Sequence, residues 1–91
     1  MDQITRASQS INLNVAEACA RSTGKDKANF FRVAKGSAFE CVAVLDLMEA
    51  VGWISQKENS EVQAQLTEIG KMLSGLIRYF EKEKAPERLR R

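Results

Sequence analysis

The sequence predicts an all-α chain folded as an up-down antiparallel helical bundle, and three observations carry that prediction. Apolar residues recur at spacings of three and four along three long segments, the mark of helices with one buried side. Residues that satisfy or stop a helix end stand at the borders of those segments: Thr23 with Asp26, Gly52, Ser55 with Glu58, and Pro86. Nowhere does the chain alternate strictly between apolar and polar residues, as a half-buried strand would. The connections are short, which makes consecutive helices antiparallel neighbours.

The first helix is expected over residues 2–21, with Asp2 placed to start it. Ile4, Ala7, Ile11, Val15, Ala18 and Cys19 form its apolar stripe. The second is expected over 26–51, where Thr23 and Asp26 can accept the unpaired amide hydrogens of the first turn. Phe31, Ala34, Ala38, Cys41, Leu45 and Met48 make one stripe, and Phe30, Ser37, Val44, Leu47 and Val51 a neighbouring one. Together they are wide enough to touch two other helices. Gly52 is suited to end this helix in a left-handed conformation. The third, over 55–84, opens with the reciprocal Ser55 and Glu58 capping pair. Its stripe is Val62, Leu66, Ile69, Leu73, Leu76 and Phe80, broadened by Met72 and Ile77. Residues 1–84 are thus expected as a single domain, and 85–91 as a basic tail beyond Pro86.

A chain of 91 residues buries only about 60–65% of its unfolded surface, so the core must be small. The second and third helices would each run roughly 40 Å at a rise of about 1.5 Å per residue. Three such helices leave wide apolar faces uncovered. Either a further helix or another subunit is expected to cover them, and oligomerisation also compensates for a small core.

Composition excludes several function classes. Hydrophobic residues make up 44% and charged residues 29%, too apolar for a disordered chain. The longest apolar run, Cys41 to Leu45, is far short of the roughly 18 residues of a membrane span. No charged-then-apolar leader opens the sequence, so a cytoplasmic protein without a membrane partner is expected. Cys19 and Cys41 are the only cysteines, and histidine is absent. A disulfide framework, a metal site and a cofactor are therefore not expected, and both thiols read as buried. A cysteine nucleophile would lack its activating histidine. Glu17 and Glu40 could pair as carboxylates, yet a di-iron bundle requires Glu-x-x-His motifs. The run Ser22-Thr-Gly-Lys25 is too short for a phosphate-binding loop and follows a helix where a strand is required. No catalytic residue is assigned, and the chain reads as a binding protein, not an enzyme.

The net charge of +2 is distributed unevenly. Arg21, Lys25, Lys27, Arg32 and Lys35 crowd one segment with Asp26 as its one acid, while residues 40–68 are acidic. With Arg88, Arg90 and Arg91 of the tail, these cations are the candidate nucleic-acid-binding residues. Solvated helix faces and a frayed tail are the plainer reading of the same charges. Phe30, Phe31 and Trp53 could stack on bases, but packing in the core or an interface is expected of them. Gly70, Ser74 and Gly75 suggest a close helix or subunit approach, since a glycine costs about 1 kcal/mol inside a helix.

Asn14 and Glu17, three apart on one helix, share a face with Arg21, four residues further on. Glu40 and Ser37 from the second helix are expected to complete a polar layer across the bundle, with Gly36 and Ser37 admitting a neighbour. Such a layer fixes register or subunit pairing.

The same residues carry a family resemblance. Gln3-Ile4-Thr5-Arg6-Ala7, Ser10-Ile11, Asn14-Val15-Ala16-Glu17 and Arg21 form a first block. Phe30-Phe31-Arg32, Ala34, Gly36-Ser37, Glu40 and Gly52-Trp53-Ile54-Ser55 form a second. Glu68-Ile69-Gly70-Lys71-Met72-Leu73 and Gly75-Leu76-Ile77 form a third. In this order and spacing the chain resembles the small four-helix bundle proteins first noted as products of intervening sequences in bacterial 23S ribosomal RNA genes. The likeness spans about Gln3 to Phe80. Members usually carry a further helix before the first block, where this chain begins, so a bundle lacking its first helix is the expectation. Asn12 and Ala18 stand where members usually have proline and glycine, and Asn12 is suited to a local cap or kink.

The resemblance implies a homopentameric, barrel-shaped assembly. It also implies similarity to the accessory variability proteins of diversity-generating retroelements, which associate with a reverse transcriptase and with nucleic acid. Two functions follow as alternatives. One is a nucleic-acid-associated accessory protein whose basic patch, repeated in each copy, binds RNA or DNA by avidity. The other is a protein-binding scaffold whose charges keep the oligomer soluble.

Overall fold

The borders at the two turns of the chain coincide with side chains or backbone that replace missing hydrogen-bond partners. A computed structural model describes the backbone of residues 2–83 and the side chains of residues 4–82, in three helices: α1 (Asp2–Ala20), α2 (Gly24–Ala50) and α3 (Gln56–Glu83). Thr23 caps α2 in an extended conformation, its Oγ1 accepting from the Asp26 amide at 3.1 Å. At the other end Gly52 has φ +83°, the left-handed turn that a side chain disfavours. Trp53 N donates to Met48 O at 2.8 Å and Gly52 N to Glu49 O at 3.0 Å, satisfying the last carbonyls of α2. Ser55 and Glu58 close the reciprocal box at the start of α3: Ser55 N donates to Glu58 Oε1 at 2.8 Å, and Glu58 N to Ser55 Oγ at 3.0 Å. Pro86, the residue 85–91 tail and the Asp2 side chain lie outside the described residues.

α2 is the centre of the bundle. α1 packs along one side of it and α3 along the other, while α1 and α3 do not pack directly on each other. The array is only 13 Å across in its thinnest direction. Its core joins Ala7, Ile11 and Ala18 of α1, Phe31, Ala34, Ala38 and Cys41 of α2, and Leu73 and Ile77 of α3. Phe31 and Phe80 stack with ring centroids 5.9 Å apart. Alanine dominates this core, and no large side chain is completely enclosed.

Absence of direct α1–α3 packing explains where burial departs from expectation. Seen from α2, the stripe of α3 is turned toward Leu73 and Ile77, and Val62, Met72 and Leu76 are left exposed. Leu47 on α2 and Val51 just past its end are also exposed, because no described helix covers that side. Cys19 is exposed, contrary to the expectation of two buried thiols, whereas Cys41 is buried. Trp53 is 69% exposed and packs in no core. Nothing lies within 4 Å of where a Cβ would stand on Gly36, Gly70 or Gly75, so no helix of this chain approaches them closely.

A polar cluster fastens the α2–α3 turn. The buried Asn59 amide donates to Asp46 Oδ1 at 3.1 Å and Glu49 Oε1 at 2.7 Å. Gln63 adds donations to Asp46 Oδ1 and to Asn59 Oδ1, at 2.6 and 2.8 Å.

Candidate nucleic-acid interface

Helical spacing places five side chains around one surface groove. Lys35 and Phe39, four apart, project from the same side of α2; Lys71, Ser74 and Arg78 recur at three and four along α3. Because α2 and α3 are antiparallel neighbours, these two sets face across a groove of about 340 Å³. Ala38, Val42, Leu66 and Gly70 make an apolar floor, and Gly70 keeps that floor free of a side chain. Phe39 is 65% exposed beside the lysines.

Charge in the groove is positive. Lys71 lies 3.8 Å from Glu68, but both side chains are 71% exposed, so the pair holds little energy. Lys35 and Arg78 form no ion pair among the described residues. Two or three free cations beside an exposed aromatic ring can neutralise phosphates and stack a base, the two demands of single-strand binding. Sequence reasoning found Lys35 but missed Phe39, Lys71 and Arg78. Phe39 falls off both apolar stripes of α2, and an exposed aromatic one turn after a lysine was the available signal.

The comparisons with known proteins bear on this frame. The sequence model for the 23S rRNA-intervening sequence protein matches residues 1–75. The chain belongs to that family. Among solved structures it is similar to a protein of unknown function from the S23 ribosomal protein family of Bacteroides thetaiotaomicron VPI-5482. That likeness has 29% sequence identity and a TM-score of 0.80, covering 84% of this chain and 70% of the other. No curated protein matches.

In this member of the intervening-sequence family, the cationic segment singled out from sequence divides by role. Lys27 Nζ donates to the Ala18 and Cys19 carbonyl oxygens at 3.2 and 3.4 Å and lies 5.6 Å from the Phe80 ring centroid. Arg21 pairs with Glu17 at 2.9 Å and lies 4.6 Å over the Phe30 ring. Arg32 pairs with Glu81 across α2 and α3 and donates to Asn29 Oδ1 at 2.8 Å. Lys25 is exposed without an ion pair among the described residues, and Lys35 belongs to the groove. Arg88, Arg90 and Arg91 fall outside the described residues.

The expected polar layer of Asn14, Glu17, Arg21, Ser37 and Glu40 is not one network. Its inner part is Asn14 and Ser37, joined through Ser10, which sequence reasoning missed: Ser10 Oγ and Ser37 Oγ are 2.7 Å apart, and Asn14 Nδ2 donates to Ser10 O at 2.8 Å. Glu17 and Arg21 form a separate pair with side chains 43% and 44% exposed. Glu40 is exposed and lines a different groove with Arg6, Ser10 and Val44. The division is geometric: Glu40 is a turn of α2 beyond Ser37, too far along the axis to meet Glu17 on antiparallel α1.

Among the described residues, no helix is long and apolar enough to cross a membrane. Nor do three or more histidine, cysteine, aspartate or glutamate side chains gather there as a metal set.

Proposed function

We propose that this protein is a non-enzymatic, cytoplasmic accessory protein that binds single-stranded nucleic acid in the α2–α3 groove. The observation that carries the reading is the placement of Lys35, Lys71 and Arg78 around one groove beside exposed Phe39. The cations would take the phosphates, and the ring would take a base without reading its identity. Self-association repeats the groove in every copy, so weak single contacts sum to useful avidity. A reverse transcriptase is the partner enzyme in this reading, on the resemblance to accessory variability proteins implied by the sequence alone. No side chain is assigned chemistry: there is no histidine, and the Cys41 thiol is buried with its pKa raised by desolvation and, secondarily, by Glu40.

A second reading, a protein scaffold without nucleic acid, is favoured by the exposed Leu47, Val51 and Trp53 near the α2–α3 turn. Fluorescence anisotropy of a short mixed-sequence RNA separates the two. Under the first reading, Lys35→Glu with Arg78→Glu abolishes low-salt binding while the circular dichroism spectrum is unchanged. Wild-type protein that leaves the RNA free at low salt supports the scaffold instead.

A further inference from the structure

The α2–α3 groove does not end at Lys35. Two further hollows, of about 420 and 340 Å³, continue it along the same seam toward the start of α2. The first shares Lys35 and Phe39 with the groove, and the second shares Arg32 and Glu81 with the first, so the three form one continuous furrow. From Phe39 to Lys25 it follows fourteen residues of α2, roughly 21 Å at a rise of about 1.5 Å each.

The furrow is cationic with one exception. Lys25 and Asn29, one turn apart and both exposed, stand on the wall of the last hollow, and Lys25 forms no ion pair among the described residues. Arg32 lines both further hollows, and its guanidinium is held by Glu81 from α3 and by Asn29 Oδ1 at 2.8 Å. Glu81 is the one acid among the described residues that line the furrow. The Arg32 and Glu81 side chains are 45% and 47% exposed, so solvent reaches the pair and it holds little energy. Two carboxylate oxygens fit the guanidinium fork as the two free oxygens of a phosphodiester do.

We infer that a single strand bound at Phe39 continues along this furrow, and that Glu81 holds Arg32 in place of the phosphate that Arg32 and Lys25 take there. The inference rests on the proposed nucleic-acid binding and adds to it a second phosphate subsite with an internal competitor. A phosphate entering the last hollow displaces Glu81 from Arg32, and the exposed carboxylate turns to solvent. Lys25 supplies the second positive charge across the hollow. Glu81 therefore weakens binding twice, by occupying the guanidinium and by repelling the phosphate that replaces it.

Anisotropy titrations of a mixed-sequence single-stranded RNA dodecamer at several salt concentrations test this. Glu81→Gln is expected to tighten binding about fivefold and to steepen the slope of log affinity against log salt by about 0.7, the share of one further phosphate. Glu61→Gln makes the same change in net charge twenty residues away on α3, outside the furrow, and is expected to leave both quantities at their wild-type values. Adding Arg32→Gln to Glu81→Gln abolishes the gain, and adding Lys25→Gln reduces it, with helicity by circular dichroism unchanged throughout. Wild-type binding that Glu81→Gln leaves unaltered, a gain matched by Glu61→Gln, or a gain that survives Arg32→Gln overturns the inference while the groove reading stands. RNA left free by both wild type and Glu81→Gln overturns the two together.

Discussion

Lys27 Nζ lies 3.2 Å from the Ala18 carbonyl oxygen, so a lysine in the first turn of α2 closes the last turn of α1. It adds a donor to Ala18 O, which also accepts from Arg21 N at 3.2 Å, and one to Cys19 O, and it brings a positive charge to the C-terminal end of α1, which has no basic residue in its own last turn. Lys27→Met should therefore lower stability by about 1 kcal/mol, while exposed Lys25→Ala stays within about 0.5 kcal/mol of wild type. Urea denaturation of the two variants checks the difference. Equal effects would place the two lysines in the same solvated class.

The groove makes separable demands on its cations and its ring. Removing Lys35 or Arg78 should flatten the dependence of log affinity on log salt by about 0.7 per cation for a single strand. Phe39→Ala should cost about 1–3 kcal/mol in affinity with the salt slope unchanged. Anisotropy titrations of RNA at several salt concentrations measure both.

Much of the backbone plan was legible because it is local. Thr23 with Asp26, Ser55 with Glu58, and Gly52 act within three residues of themselves, and each occupies its expected place. The part of each stripe that is buried was not legible in the same way. Whether Val62 or Ile77 faces inward depends on which helix lies opposite, and α1 does not pack on α3. The groove was hidden for a related reason: Lys35 and Arg78 are far apart in sequence, and only antiparallel packing makes them neighbours.

Burial separates the two cysteines. Cys19 should react with a soluble disulfide reagent at the rate of a free thiol, and Cys41 only as the chain opens. Burial, then Glu40, raises the Cys41 pKa above the ordinary 9.0, so the folded state holds that proton longer than the unfolded one. Its share of stability is complete below pH 9 and declines as pH rises above it. The stability of wild type relative to Cys41→Ala should thus fall over that range. A difference independent of pH would contradict it.

Asn59 holds two carboxylates with one buried amide. Asn59→Leu removes the donor shared by Asp46 and Glu49, so a loss of about 1–3 kcal/mol is expected, partly recovered in Asn59→Leu with Asp46→Asn. A double-mutant cycle by thermal unfolding gives the coupling.

Ultraviolet cross-linking of the protein to a short single-stranded RNA, followed by mass mapping of the linked peptide, tests the central claim most directly. The account predicts a link at Phe39, lost in the Lys35→Glu/Arg78→Glu variant, which retains wild-type helicity. A link confined to Phe30 or Trp53, or none at low salt, would contradict a nucleic-acid site between α2 and α3.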